Sequence, residues 1–93
     1  VVPIVPFKDD IEVLRYANAS VYGLAAYIFT NSEKRQRFLA GKLEVGTIGI
    51  NDLPTHTADI PLGGWKESGL GVEGGVEMTK AYLKSQFRYV WNA

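Results

Sequence analysis

The chain has 93 residues, 46% of them apolar, with 10 Lys and Arg balanced by 10 Asp and Glu and no cysteine. A chain of this length can bury one modest core, which excludes two full domains; the even charge without a basic stripe argues against a nucleic-acid partner; and no apolar run approaches the ~20 residues of a membrane span. Without cysteine it holds no disulfide, thiolate metal site or thiol nucleophile of its own.

A cationic start, apolar middle and small-residue cleavage site are not seen, so a soluble, cytoplasmic protein is the expectation. The opening Val1-Val2-Pro3, already inside an apolar run, suggests a segment of something longer. VVPIVPF at 1–7 is rich in β-branched side chains and predicts a short strand, which Pro3 and Pro6 confine to a sheet edge or strand end. Asp9-Asp10-Ile11-Glu12 gives an acidic cap with Glu three residues on, and Ile11, Leu14, Ala17 and Asn18 follow at helical spacing, so a helix is expected over about 10–19. Gly23 breaks the pattern. LAAYIFT at 24–30 is then a continuous apolar run, as in a strand buried on both faces. Thr30-Asn31-Ser32-Glu33 has capping-box spacing and opens a second helix. Lys34, Arg35 and Arg37 near its start oppose the helix dipole and are expected to be solvated or paired elsewhere. Phe38, Leu39 and Leu43 form its apolar side, Gly46 is expected to end it, and TIGIN at 47–51 is a third strand.

Strand, helix, strand, helix, strand predicts an α/β fold: a partial parallel sheet with right-handed crossovers, whose ligands gather at the carboxyl ends of the strands. Beyond Asn51, DLPTHTADIPLGGWKESGLG runs for about twenty residues without helix or strand pattern, and so long a loop is usually functional or disordered. Ile60, Leu62 and Trp65 favour an ordered, packed loop. A helix over 73–83 and a terminal strand over 86–91 are expected after it, the strand carrying Phe87, Tyr89 and Trp91 on one face that needs a cover.

Gly69-x-Gly71-x-x-Gly74 has the spacing of a dinucleotide fingerprint. That fingerprint needs a strand just before it and an acidic residue about twenty positions on. Here Trp65-Lys66-Glu67-Ser68 stands in place of the strand, and Trp91 and Asn92 lie near the acidic position, so the glycines suit a tight turn ahead of a helix. His56 with Asp52 and Asp59 on an unpatterned loop is too sparse to specify a metal site.

Taken in order, VVPIVPF, Tyr22-Gly23-Leu24-Ala25-Ala26-x-x-Phe29-Thr30, Gly46-Thr47-x-Gly49-Ile50-Asn51 and Pro61-Leu62-Gly63-Gly64-x-Lys66-x-Ser68-Gly69-x-Gly71-x-Glu73 resemble the C-terminal part of NAD(P)-dependent aldehyde dehydrogenases. The most specific element is Pro-Leu-Gly-Gly-Trp-Lys-Glu-Ser-Gly, close to the family's Pro-Phe-Gly-Gly-x-Lys-x-Ser-Gly. The resemblance implies oxidation of an aldehyde to a carboxylic acid, with a cysteine thiolate attacking the carbonyl, hydride passing to NAD or NADP, and a glutamate-activated water releasing the acid. The cysteine, the cofactor domain and the general base would lie in earlier parts of the family's sequence, so this chain alone would bind no cofactor and be inactive.

On the same resemblance, 1–84 would be the last part of the catalytic domain and 85–93 an oligomerisation strand joining a neighbouring subunit through Phe87, Tyr89 and Trp91; alternatively that strand closes its own sheet. Thr55 and His56 would face a small aldehyde substrate with Leu62 deeper, although His56 also fits an exposed loop histidine. Leu62 stands where the family usually has Phe, which removes an aromatic wall. Asn51 would tie down the start of the loop, and Gly63, Gly64, Gly69 and Gly71 would shape its turns, with Lys66 and Glu67 as paired or solvated turn residues. A stand-alone α/β binding or assembly module without catalytic activity is the alternative function.

Overall fold

The first helix starts where its cap residue lies. In the computed structural model, which describes residues 1–53 and 56–92, the Asp9 carboxylate accepts the Glu12 N–H at 2.8 Å and begins α1 (Asp10–Asn18). Glu12 reaches back past the cap residue and accepts from the Lys8 N–H at 2.7 Å, tying the chain just outside the helix to its first turn. After it come β1 (Tyr22–Gly23), β2 (Ala25–Ile28), α2 (Glu33–Ala40), β3 (Thr47–Ile50), β4 (Trp65–Lys66) and α3 (Gly75–Lys80).

Strands β2 and β3 pair in parallel from Ala25↔Thr47 to Ile28↔Ile50, with α2 as the crossover between them. Helix α2 lies against α1, and Leu14, Ile28 and Leu39 form the buried core, flanked by Val13, Phe38, Leu43 and Ile48. The two helices are also joined by charge: the Arg35 guanidinium donates to Asp10 from Nη2 at 2.5 Å and from Nε at 3.0 Å. Arg37 pairs with Glu33 one turn away at 2.5 Å. Arg35, near the start of α2, thus finds a carboxylate on α1, while Arg37 falls in the last turn of the helix, where a cation suits the dipole.

Helix α2 departs from the sequence reading at both ends. Its cap is Ser32, whose Oγ accepts the Arg35 N–H at 3.3 Å, while the Thr30 hydroxyl accepts from the Ser32 N–H at 3.2 Å and shapes the approach. The helix stops at Ala40 with Gly41 as its C-cap, well before Gly46. Leu43 reaches the core from the following turn, with its N–H on the Leu39 carbonyl at 3.0 Å.

Two expected strands are not formed. Residues 1–7 and 86–91 have no ladder partner among the described residues, and an extended segment is a strand only when another backbone takes its N–H and C=O groups. Pro3 and Pro6 further remove two donors from the first segment. The observed order therefore lacks both the opening strand of the expected strand–helix–strand–helix–strand series and the terminal strand. The last helix is shorter than the sequence suggests. Gly74 and Gly75 take positive φ of 70° and 63° at its start, and beyond Lys80 the turns close by Tyr82 and Leu83 N–H bonds three residues back.

The chain is far more extended than its length requires. Its radius of gyration is 18.7 Å, against about 12 Å for a compact 93-residue fold. It exposes 8112 Å², against about 5,400 Å² for a compact 10.3 kDa protein. Phe87, Tyr89 and Trp91 are at least 72% exposed. No helix among the described residues is long and apolar enough to cross a membrane.

The Asp10–Arg35 pair gives a pH prediction. The hydrogen bonds from Arg35, helped by its charge, hold the Asp10 carboxyl below its ordinary value against the opposing effect of desolvation. A carboxyl depressed in the folded state stabilises above its unfolded pKa of about 3.9, and that contribution disappears as pH falls through the lower folded value. Asp10→Asn should therefore lower the thermal unfolding midpoint at pH 7 and approach the unsubstituted protein as the pH falls, as read by unfolding scans across pH; a difference that does not narrow in acid would contradict this.

Candidate functional site

The carboxyl ends of β2 and β3 are closed by one side chain. Asn51 adopts φ 57°, a left-handed conformation that Asn tolerates better than most residues. Its N–H still donates to the Ile28 carbonyl at 2.8 Å, as one more rung of the ladder. Its side-chain amide then takes over: Oδ1 accepts the Thr30 N–H at 2.8 Å and Nδ2 donates to the Thr30 carbonyl at 3.1 Å. Gln36 of α2 donates to the same carbonyl at 2.7 Å. The chain leaves the sheet here, in the direction a strand could not take.

The long segment that follows is tied at several points. Leu62 and Glu73 exchange backbone hydrogen bonds at 2.7 and 2.8 Å, which pinches 63–72 into a closed loop. Inside that loop β4 pairs antiparallel with β1, Tyr22↔Lys66 and Gly23↔Trp65. Sequence reasoning left this stretch without regular structure because a two-residue strand has no detectable period.

His56 and Leu62 come together on the wall of a concavity of about 210 Å³ beside the pinch, with Ile60 and Glu73. His56 is exposed, and Leu62 is half-buried. Thr55 lies outside the described residues. Nearby, the Thr57 hydroxyl donates to Asp59 and, with the Asp59 N–H, holds that carboxyl below its usual value. Among the described residues no group of three His, Asp or Glu side chains is placed to hold a metal ion.

The glycines fall into two kinds. Gly46 and Gly63 are needed for close approach: a Cβ on Gly46 would overlap the Gly63 carbonyl. Gly64 packs in the same way on Ser68. Gly69 and Gly71 face open space and adopt φ of 145° and 81°, so backbone conformation alone requires glycine there. Together with Leu62 and Leu24 they line a second concavity of about 430 Å³, against Met78 and Tyr82 of the last helical segment. The strand ahead of Gly69 is a two-residue antiparallel one, and the helix after Gly74 has six residues. This is not the strand–turn–helix cradle that a dinucleotide pyrophosphate requires.

Lys66 and Ser68 are the residues whose part the sequence concealed. The Lys66 ammonium donates to the Asn18 and Ser20 carbonyls at 2.8 and 3.1 Å and lies 2.5 Å from the Glu44 carboxylate. The Ser68 hydroxyl accepts the Gly23 N–H at 2.8 Å. A cation suited to a helix C-terminus was the available signal, but nothing local shows which helix lies within reach.

Comparison with known proteins decides the family. A model described as the aldehyde dehydrogenase family matches residues 1–87. The chain belongs to the aldehyde dehydrogenase family. It is 40% identical over 84 residues to a non-phosphorylating aspartate-semialdehyde dehydrogenase of Halomonas elongata, covering 90% of this chain and 17% of that enzyme. It is also 41% identical over 87 residues to a mitochondrial succinate-semialdehyde dehydrogenase of Arabidopsis thaliana, covering 94% of this chain and 16% of the relative. Among solved structures, betaine aldehyde dehydrogenase of Staphylococcus aureus in complex with NAD+ superposes with a TM-score of 0.82 at 40% identity, over 86% of this chain and 16% of that one. The chain thus spans about a sixth of the length of these aldehyde dehydrogenases.

The two kinds of glycine make separable predictions. Gly46→Ala should cost about 1–3 kcal/mol by overpacking and push the Gly63 turn away from β3. Gly71→Ala, with room for its methyl at φ 81°, should cost about 1 kcal/mol from the backbone alone. Unfolding midpoints of the two variants test the order; equal losses would show that the close approach at Gly63 yields without resistance.

Proposed function

We propose that this chain is the C-terminal part of an aldehyde dehydrogenase that oxidises a small aldehyde to a carboxylic acid with NAD or NADP, and that it supplies the substrate-side loop and subunit contacts. The observation that carries the reading is the exposed apolar surface of a family member spanning a sixth of its relatives' length. A core of three buried side chains and an open terminal segment fit a piece that packs against the rest of a larger enzyme.

In this reading Asn51 fixes where the loop leaves the sheet, and Thr55, His56 and Leu62 face the aldehyde. Leu62 in place of an aromatic ring leaves a wider, softer wall. Gly63, Gly64, Gly69 and Gly71 hold the turns behind it. Residues 1–84 complete the catalytic domain, and 85–93 add a strand to a neighbouring subunit, which would give Phe87, Tyr89 and Trp91 the cover they lack. With no cysteine, the chain cannot itself form the thiohemiacetal, so alone it is inactive and the rest of the polypeptide is its first partner. A self-sufficient binding module is the less favoured reading, because its pockets are open and its core is small.

Two measurements test this. The reading frame upstream of Val1 should encode a glycine-flanked cysteine and a cofactor domain, and the whole polypeptide should form NADH or NADPH from a semialdehyde while residues 1–93 alone form none. Reduced cofactor produced by the 93-residue chain would overturn the proposal. Removing residues 85–93 from the whole polypeptide should shift its sedimentation to smaller assemblies; unchanged sedimentation would remove the oligomerisation role.

A further inference from the structure

We propose that Lys66 is a positioning residue for the aldehyde-side loop, acting through its ammonium contacts and not by touching substrate; this rests on the reading above that His56 and Leu62 face the aldehyde.

Lys66 takes φ 53°, which a non-glycine residue adopts only where its surroundings hold it there. Its side chain then runs to the end of α1. An ammonium carries three protons, and three acceptors stand around this one: the carbonyls of Asn18 and Ser20 and the carboxylate of Glu44. The two carbonyls lie at the negative end of the helix dipole. These acceptors are fixed in turn. Asn18 donates from Nδ2 to the Lys42 carbonyl at 2.8 Å and accepts from the Glu44 N–H at 3.0 Å, so the end of α1 and the turn before β3 form one unit. With its side chain 27% exposed and that of Glu44 49%, Lys66 joins the glycine loop to that unit at the surface.

The consequence reaches the substrate side through short stretches of chain. Next to Lys66, the Glu67 N–H donates to the Val21 carbonyl at 2.9 Å and the Ser68 hydroxyl accepts from Gly23. The same loop is closed at Leu62 and Glu73, both on the wall that His56 shares. Apolar burial does little to hold it, since Trp65 is 52% exposed and Leu70 fully so. Removing the ammonium leaves two carbonyls and a carboxylate unpaired and frees the loop to move with its substrate wall. Arg cannot substitute fully, because a planar fork does not match three acceptors converging on one point.

The test uses the full-length enzyme that carries this chain. Lys66→Met should raise KM for the aldehyde roughly tenfold or more, the scale of a lost charge-assisted hydrogen bond, with kcat and KM for the cofactor unchanged. Lys66→Arg should recover part of that loss. Amide exchange at Gly23 and Glu67 should quicken in the Met variant. An unchanged aldehyde KM, or a fall in kcat together with weaker cofactor binding, would overturn the positioning role. If Lys66→Met does not fold, Glu44→Gln removes the carboxylate charge facing the ammonium and should shift the aldehyde KM in the same direction by less; no shift overturns the proposal. If the unsubstituted enzyme oxidises no aldehyde, the proposed function fails, and exchange at Gly23 and Glu67 still decides Lys66: unchanged protection overturns its role.

Discussion

Parallel pairing of β2 and β3 is the constraint on which the other elements depend. Parallel strands cannot be joined by a hairpin, so α2 must cross between them and needs a surface to lie on. Helix α1 supplies it, and the three buried side chains come one each from α1, β2 and α2. The same register brings the carboxyl ends of both strands side by side, which is why Asn51 can reach Thr30. The site begins where the ladder ends.

Past that point polar anchors replace apolar packing. Each of the bonds made by Asn51, Lys66 and Ser68 is worth on the order of 1 kcal/mol net, yet they fall on a segment with few buried side chains. A loop held this way is positioned by the directions of hydrogen bonds and by the closeness that Gly46 and Gly63 permit. It stays open on one side.

Exposure and family membership point the same way. LAAYIFT has the composition of a strand covered on both faces, yet Tyr27 and Phe29 stand exposed. The relatives are several times longer than this chain, which spans about a sixth of their length. The open terminal segment belongs to the same pattern.

Local chemistry was enough to determine α1, the body of α2, and strands β2 and β3, because capping residues, helical spacing and apolar runs act within a few positions of one another. The motif order from Tyr22 to Glu73 was enough to indicate the family. Residues 1–7 and 86–91 form no ladder within the described residues, because composition gives a segment its preference whereas a ladder needs a second backbone. The cap at Ser32 in place of Thr30, the pairing of β1 with β4, the Leu62–Glu73 bridge and the three acceptors of Lys66 were decided by tertiary structure alone. Each joins groups far apart in the chain, or chooses between neighbours of equal propensity, and only the folded geometry says which of them meet.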